Sequence, residues 1–465
     1  MMAGMTATAE LGTKKISTLL KEYAVPGIIA MTASSLYNMV DSIFIGHIRD
    51  VGAYAISGLA VTFPLMNLST ALGTLVGVGA STILSVLLGQ KNYEASNKVL
   101  ANLVSLNTII GTLFSVVALL FLNPILGFFG ASANTLPYAR AYMKIILYGN
   151  VVTHLYFGLN NLLRASGNPR LAMRLTLFTV LMNCLLDPVF IFVLDMGIQG
   201  AALATVLCQL MSLSYSFRYF LDRQKPIHLP EKVFALDWRV AKDSLMIGMG
   251  PFLMNSASCI VTMFVNQQML KYCGDLGIGA YGIVNRIVFL SIMITMGLNQ
   301  GMQPIAGFNF GARQYSRVKE VYQLTIKCAV TVMSIGFIIS QVFPDLVVSV
   351  FTNDPELKAI ADKGLRIITL MLPLVGFQMV STNLFQSLGM VHKSIFLSLA
   401  RQLLFLVPSL YLLPLIVGRE GVWLSFPLAD AVSSMITLVM AISLTRKFKR
   451  LKDGEDPTIL GSKIQ

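Results

Sequence analysis

Charged residues are scarce in this chain. Asp, Glu, Lys and Arg make up only 12% of its 465 residues, whereas 55% are hydrophobic and the mean hydropathy is +0.71. A soluble globular protein carries about 25% charged residues, and this chain would leave too few polar side chains to cover a soluble surface. The composition therefore excludes an ordinary soluble protein and predicts an integral membrane protein.

Several motifs that carry chemistry are also missing. The five cysteines form no C-x-x-C pair, so we predict free thiols buried in helices. No phosphate loop of the form G-x-x-x-x-G-K-[ST] occurs, which disfavours ATP-driven pumping by this chain. Zinc-site and Ser/His/Asp patterns are absent, and so is the alternation typical of outer-membrane barrels. These absences argue against an enzyme and against a bound cofactor.

Long apolar runs fill most of the chain. A membrane-spanning helix needs about 20 mostly apolar residues, and the hydropathy pattern predicts an all-α protein with twelve such helices. The predicted spans cover 23–46, 53–87, 99–122, 139–163, 172–194, 198–220, 244–270, 278–308, 323–343, 364–389, 395–417 and 421–445.

The basic residues are unevenly distributed between the two sets of helix ends. Most of the 35 Lys and Arg residues, Arg401 among them, fall at the ends shared by both termini and the 221–243 loop. The positive-inside rule therefore places both termini in the cytoplasm. The net charge of +13 is explained by topology and by contacts with membrane lipids, and we expect no nucleic-acid partner. Arg286 is predicted to be the only arginine deep within a span.

The two halves of the chain resemble each other. VPG at 25–27 corresponds to GPF at 250–252, LGQKNY at 88–93 to FGARQY at 310–315, and GIQG at 197–200 to GREG at 418–421. We therefore predict two six-helix lobes of the same orientation, with a substrate site between them near the membrane midplane. The predicted segments are an N-terminal segment 1–22, an N-lobe 23–220, an inter-lobe loop 221–243, a C-lobe 244–445 and a basic tail 446–465.

Two aspartates interrupt apolar runs in the N-lobe. Asp41 lies in the first span and Asp187 in the fifth, and ionisable groups inside a membrane are usually functional. Tyr37 precedes Asp41 by one helical turn, and Asn183 precedes Asp187 in the same way. Two facing carboxylates can share a proton, and the same oxygens could instead hold Na⁺. The predicted cation-coupling residues are Tyr37, Asp41, Asn160, Asn183, Asp187 and Thr205, with Asp41, Asn183, Asp187 and Thr205 as the Na⁺ ligands.

The C-lobe has a different set of polar residues. Asn266 takes the position of Asp41, and Asp187 corresponds to a position near Pro408, so the acidic pair occurs in one half only. Arg286 and Asp430 are candidates for an ion pair, although their spacing does not decide it. Methionine is common at adaptable binding surfaces. The predicted substrate-cavity residues are Met263, Asn266, Gln267, Arg286 and Met293.

Together these features resemble the multidrug and toxic compound extrusion (MATE) family, and within it the DinF-like bacterial branch. The resemblance rests on the repeat, Pro26, Asp41, LGQK at 88–91, NLLRASGNP at 161–169 and NCLLDP at 183–188. It implies a V-shaped fold and a cation site at Asp41, Asn183, Asp187 and Thr205. It also implies a bend of the first span at Pro26.

The favoured hypothesis is a monomeric antiporter in the bacterial inner membrane. It would export lipophilic cationic compounds in exchange for H⁺ or Na⁺ by alternating access, with bends at Pro26 and Pro188, where proline removes a backbone hydrogen bond. The alternative is a lipid-linked oligosaccharide flippase of the same superfamily. A flippase needs a basic cavity for its pyrophosphate, whereas the interior of the N-lobe is acidic. A channel or receptor is disfavoured by the repeat.

Overall fold

Long helices form nearly all of the regular structure. The computed structural model describes residues 10–46, 48, 52–129, 131–230, 234, 236–351 and 355–455, and within these ranges the regular elements are helical. The helices of the first half are α1 Ile16–Gly46, α2 Gly52–Gly89, α3 Tyr93–Leu120, α4 Leu122–Phe128, α5 Leu136–Tyr148, α6 Asn150–Ala165, α7 Pro169–Pro188 and α8 Ile198–Leu221.

The second half repeats this order. It begins with a continuous helical run, Trp238–Gly311, that is broken by non-helical backbone at Gly274. Its helices are α9 Trp238–Gly274, α10 Leu276–Gly311, α11 Tyr315–Val342, α12 Pro344–Ser349, α13 Pro355–Ile368, α14 Leu372–Ser387, α15 Val391–Leu399, α16 Val407–Val417 and α17 Arg419–Arg450. A 3-10 turn, Thr369–Met371, joins α13 to α14, and π-helical segments occupy Val189–Val193 and Ala400–Leu406.

The helices have the dimensions of a multi-pass membrane protein. Within the described residues, ten helical segments are long and apolar enough to cross a bilayer. The other two predicted spans coincide with α1 and with the pair α5 and α6, which meet at Gly149. Several helices extend beyond their predicted ends: α11 begins at Tyr315 rather than 323. Hydropathy marks the apolar part of a helix, whereas backbone hydrogen bonding continues into its polar ends.

The backbone confirms that the two halves repeat the same structure. Gly197 and Gly418, matched in sequence, both have positive φ, at 55° and 69°. A Cβ atom on Gly200 would collide with the backbone of Phe190, and one on Gly421 would collide with the backbone of Leu413. Both glycines therefore permit the same close approach after the fifth helix of each repeat.

The chain divides into two compact units whose boundaries fall inside helices. The first unit contains Ile29–Phe252, and the second contains Lys14–Ile28 with the chain from Leu253 onward. The divisions lie within α1, just after Pro26, and within α9, just after Pro251. The predicted lobe bounds, 23–220 and 244–445, place the first and seventh spans whole in one lobe each, and they stay a prediction.

Glycines bring helix backbones close together inside each unit. In the second unit, a Cβ atom on Gly297 would lie 2.6 Å from Ile28, and one on Gly301 would lie 2.6 Å from Ala24, so α10 packs tightly on the start of α1. In the first unit, a Cβ atom on Gly248 would overlap the carbonyl oxygen of Leu75. Small residues at such crossings maximise van der Waals contact, which drives helix association in membranes.

We predict that Gly248→Ala destabilises the protein. The added methyl group overlaps the carbonyl of Leu75, and overpacking of this kind costs about 1–3 kcal/mol. Thermal unfolding of the purified protein in detergent should show a lower midpoint. Gly282→Ala is the matched control, since no heavy atom lies within 4 Å of its Cβ position; its midpoint should be unchanged or slightly higher. Equal midpoints for both variants would contradict the packing argument.

Candidate ion-coupling site

Three helices of the first unit bring the predicted coupling residues together. Tyr37 and Asp41 lie on α1, Asn183 and Asp187 on α7, and Thr205 on α8. Asp41 and Asp187 are 7% and 0% exposed. The two carboxylates are close enough to interact electrostatically with each other and with the Tyr37 hydroxyl. The i,i+4 spacing in α1 and α7 directs each pair of side chains to the same side of its helix.

The amide of Asn183 is the centre of the hydrogen-bond network. In the orientation that satisfies its neighbours, its Nδ2 donates to Asp187 Oδ2 at 3.0 Å and to Tyr37 Oη at 2.8 Å, while its Oδ1 accepts from the Thr205 N–H at 2.9 Å. Tyr37 Oη also lies 2.9 Å from Thr205 Oγ1. Since Thr205 Oγ1 donates to the carbonyl of Ala201 at 3.1 Å, the Tyr37 hydroxyl donates to Thr205.

This arrangement leaves two buried carboxylate oxygens open. Asp41 Oδ1 and Asp187 Oδ1 have no hydrogen-bond partner among the residues that the structure describes. A buried acceptor without a partner is costly, and in a native protein it calls for an explanation. The nearby donors are already used, because Asn183 donates to Asp187 Oδ2 and to Tyr37, and the Tyr37 hydroxyl donates to Thr205. An external positive charge, either a proton or a metal cation, is the partner that would complete the site.

Irregular backbone follows the site on α7. Proline at 188 cannot donate to the carbonyl one turn back, and the chain continues as the π-helical segment Val189–Val193. Such segments are frequent at functional sites. Pro26 lies about three turns before Tyr37 on α1, beside Gly27, whose Cβ position is 2.8 Å from the carbonyl oxygen of Gly297. Bending at Pro26 and Pro188 stays a prediction.

Asn160 belongs to a neighbouring network. It donates to the carbonyl of Ala172 at 3.1 Å and to Thr176 Oγ1 at 3.3 Å, and its Oδ1 accepts from Arg164 Nη2 at 2.6 Å. None of the hydrogen bonds recorded for the described residues links Asn160 to either carboxylate. Its predicted place beside the site therefore has no direct contact to support it.

Tyr142 is a site residue that the sequence did not single out. It lies on α5, is 2% exposed, and is within electrostatic range of both Asp41 and Asp187. A tyrosine in a helix of mixed composition carries no motif. Its span also carries the charged residues Arg140 and Lys144, and this polar composition is the sequence signal that could have identified Tyr142.

Comparison with a known protein family also detects the internal repeat. A sequence model of the MatE family matches the chain twice, at residues 26–189 and at residues 247–412. The chain belongs to the MatE family. Each half of this MATE chain therefore carries one copy of the family sequence, as the internal matches predict. The DinF-like branch stays a prediction.

Curated relatives match this MATE chain over nearly its whole length. The multidrug export protein MepA of Staphylococcus haemolyticus is 27% identical over 428 residues, which is 92% of this chain and 94% of that protein. MepA of Staphylococcus aureus strain NCTC 8325 is 28% identical over 431 residues, covering 91% and 93% of the two chains.

Solved MATE structures share the fold. An outward-facing multidrug resistance MATE transporter has a TM-score of 0.88 at 23% identity and covers 95% of this chain and 98% of its own. A MATE structure in the bent conformation has a TM-score of 0.89 at 23% identity, with 96% and 98% covered. At this identity the likeness concerns the fold alone, and it confirms the predicted all-α architecture of two six-helix lobes.

The predicted substrate-cavity residues lie on α9 and α10. Met263, Gln267 and Arg286 are exposed, and Asn266 and Met293 are partly exposed. The suggested pairing of Arg286 with Asp430 is wrong, because Asp430 Oδ1 accepts from Arg401 Nε at 2.6 Å.

Arg401 is also misplaced by the sequence analysis. It lies in the interior of the helical run Val391–Val417 rather than at a cytoplasmic helix end. Arg286 is therefore not the only arginine deep within a span. The predicted span 395–417 already contains Arg401, so the error lies in counting this residue with the cytoplasmic helix ends; an ion pair allows the charge inside.

We predict that Tyr37→Phe weakens the site. The change removes the acceptor of one Asn183 N–H and the donor to Thr205, and an unsatisfied buried polar group costs about 1–3 kcal/mol. Thermal unfolding in detergent should show a lower midpoint. Tyr411→Phe, at a tyrosine that is 42% exposed, is the control and should match the wild type. If Tyr37→Phe also unfolds at the wild-type midpoint, the network does not stabilise the site.

Proposed function

We propose that this chain is a multidrug efflux antiporter, which exports lipophilic cations in exchange for protons. The observation that carries the proposal is the buried pair Asp41 and Asp187, each with an open carboxylate oxygen. A site that binds a positive charge and is buried within the helices suits an ion-coupled exchanger. The names of the MepA relatives, which are multidrug export proteins, support the export of several drugs.

The donor set at the site favours a proton over Na⁺. A hard metal cation needs several oxygen ligands around it. Here Asn183 turns its N–H groups toward Asp187 and Tyr37, and its carbonyl oxygen is used by the Thr205 N–H. The Thr205 hydroxyl also has partners. Binding Na⁺ would require the amide to turn round, whereas a proton needs only one of the two open carboxylate oxygens.

Transport then follows from competition between the two positive ligands. When the site faces outward, a proton binds to the acidic pair, reduces its negative charge and lowers the affinity for the organic cation, which leaves. When the site faces inward, the proton is lost and the cation binds again. The coupling is reciprocal, so the cation also lowers the affinity for the proton. Exchange of one proton for one monovalent cation moves no net charge, so the pH gradient supplies the driving force.

The setting of this exchanger is proposed from charge and composition. The uneven distribution of basic residues supports cytoplasmic termini in a bacterial inner membrane. Because one chain carries both repeats, we propose that the monomer is sufficient. Bending of α1 at Pro26 and of α7 at Pro188 would change the helix packing around the site when its charge changes.

The first experiment is dye efflux from proteoliposomes driven separately by a pH gradient and by a Na⁺ gradient. We expect the pH gradient alone to drive efflux, and we expect Asp41→Asn and Asp187→Asn each to reduce it at least tenfold, because a neutral amide cannot exchange a proton. Asp195→Asn is the matched control. Asp195 is exposed, follows the same helix and has a positive φ of 52° that Asn tolerates; its efflux should be normal.

The outcomes separate the alternatives. Efflux driven by the Na⁺ gradient would overturn the choice of ion. Normal efflux in both aspartate variants would remove the acidic pair from the mechanism. Drug susceptibility in a pump-deficient host tests the flippase alternative, since a flippase should leave susceptibility unchanged and support glycan assembly instead.

A further inference from the structure

The second unit contains a buried ion pair that the proposed mechanism does not use. Asp430 on α17 is 5% exposed, and its Oδ1 accepts from Arg401 Nε at 2.6 Å. The Arg401 side chain is 31% exposed. Arg401 belongs to the π-helical segment Ala400–Leu406. Charges inside membrane helices are costly and are usually functional, so this pair requires a role.

The surroundings of the ion pair are polar but carry little other charge. Gln402 Nε2 donates to Ser258 Oγ on α9 at 2.9 Å. The ring of Tyr281 on α10 packs at 5.7 Å from that of Phe426, one turn before Asp430 on α17, and its hydroxyl is within electrostatic range of Arg401. Among the described residues, the charged group that interacts with Asp430 is Arg401.

The same three helices of the repeat build the polar centre in each unit. In the first unit they are the first, fifth and sixth helices, α1, α7 and α8. In the second unit they are α9, the run from α15 through the π-helical segment to α16, and α17. In both units the fifth helix contains a π-helical segment, Val189–Val193 in one and Ala400–Leu406 in the other. The ion pair therefore lies among the same three helices of its repeat as the acidic pair, although its two residues do not take the positions that correspond to Asp41 and Asp187.

The ion pair lies one helical turn away from the positions that correspond to Asn183 and Thr205. Asn183 corresponds to Leu404, and Arg401 lies one turn before Leu404. Thr205 corresponds to Phe426, and Asp430 lies one turn after Phe426. Consecutive spans run in opposite directions, so both shifts point the same way, by about 5.4 Å along the helices. The position of Thr205 itself is filled by an aromatic ring.

The chemical difference between the centres is the source of the positive charge. In the first unit, one carboxylate faces another, and a mobile cation or proton must supply the charge. In the second unit, Asn266 replaces Asp41, and the guanidinium of Arg401 supplies the charge from within the chain. Arginine keeps its proton under all ordinary conditions, so this partner cannot be exchanged.

We propose that Arg401 is a tethered counter-ion, which occupies at Asp430 the place that the transported ion takes at the acidic pair and so keeps the second unit out of ion coupling. This inference rests on the proposed function and deepens it, because it makes Arg401 the residue that limits exchange to one ion-binding centre per chain. Without Arg401, the buried Asp430 must take up a proton or an external cation, since an unpaired buried charge is strongly unfavourable.

The transport test compares coupling ratios in proteoliposomes. Tetraphenylphosphonium is the probe, and the pH gradient at which its net flux reverses gives the number of protons exchanged per cation. We expect Arg401→Lys and the neutral double variant Arg401→Gln/Asp430→Asn to keep the wild-type ratio. We expect Arg401→Gln alone to raise the ratio by one proton, because Asp430 then binds an exchangeable proton. A wild-type ratio in folded Arg401→Gln would overturn the proposal.

The double variant is the control for possible misfolding of Arg401→Gln. It removes both charges, so no buried charge is left unpaired, and size-exclusion profiles with thermal unfolding check its fold. Loss of proton-driven transport in a folded double variant would place Asp430 in the coupling machinery and would also overturn the proposal. If the wild type shows no proton-coupled exchange at all, the proposed function fails, and the decision on Arg401 comes from proton binding.

Proton binding is measured without transport, by potentiometric titration of purified protein between pH 5 and pH 9. Wild type and Asp430→Asn should bind equal numbers of protons in this range, since Arg401 keeps Asp430 charged. Arg401→Gln should bind one proton more than the double variant. A one-proton difference between wild type and Asp430→Asn would show that Arg401 does not hold the charge of Asp430, and the proposal would be wrong.

Discussion

The bilayer interior offers no water to polar groups, and the structure of this MATE chain depends on that constraint. Backbone groups are satisfied within helices, and many buried side chains form hydrogen bonds with their neighbours. The Asn183 amide illustrates the rule, because its two N–H groups and its oxygen all have partners. Against this background, the open oxygens of Asp41 and Asp187 differ in belonging to two carboxylates that interact with each other, and we propose that their missing partner comes from outside the chain.

The two repeats meet this constraint in different ways. Both place an aspartate where the first, fifth and sixth helices converge, and both loosen the fifth helix into a π-helical segment. In the first repeat, we propose that an external positive charge satisfies the aspartates. In the second, Arg401 satisfies Asp430 directly. Each repeat thus buries a carboxylate among the same three helices, although at a different position, and the neighbouring side chain determines whether its counter-ion can leave.

Local patterns in the sequence account for much of the fold and for part of the site. Hydropathy located the helices, because burial in lipid acts on every residue of a span. The i,i+4 pairs Tyr37–Asp41 and Asn183–Asp187 were predictable, since both members lie on one helix. The partner of Asp430 was not, because Arg401 comes from another helix and no local spacing reports that contact. Tyr142 was missed for the same reason, since its contacts with the site come from another helix. Asn160 was predicted beside the site, but its hydrogen bonds among the described residues go to other partners.

In an exchanger built from two copies of one repeat, the number of ions exchanged per organic cation depends on how many copies bind an ion. If both copies bound a mobile ion, each cycle would spend two ions and the export of one organic cation would dissipate more of the gradient than its own charge requires. A fixed guanidinium in one copy solves this without removing the carboxylate, and it preserves the packing that a charged group supports in that position. Replacing this arginine by a neutral residue would then change the coupling ratio while the fold stays the same. The asymmetry of the two halves thus resides in their side chains, Arg401 among them, rather than in the architecture of the helices.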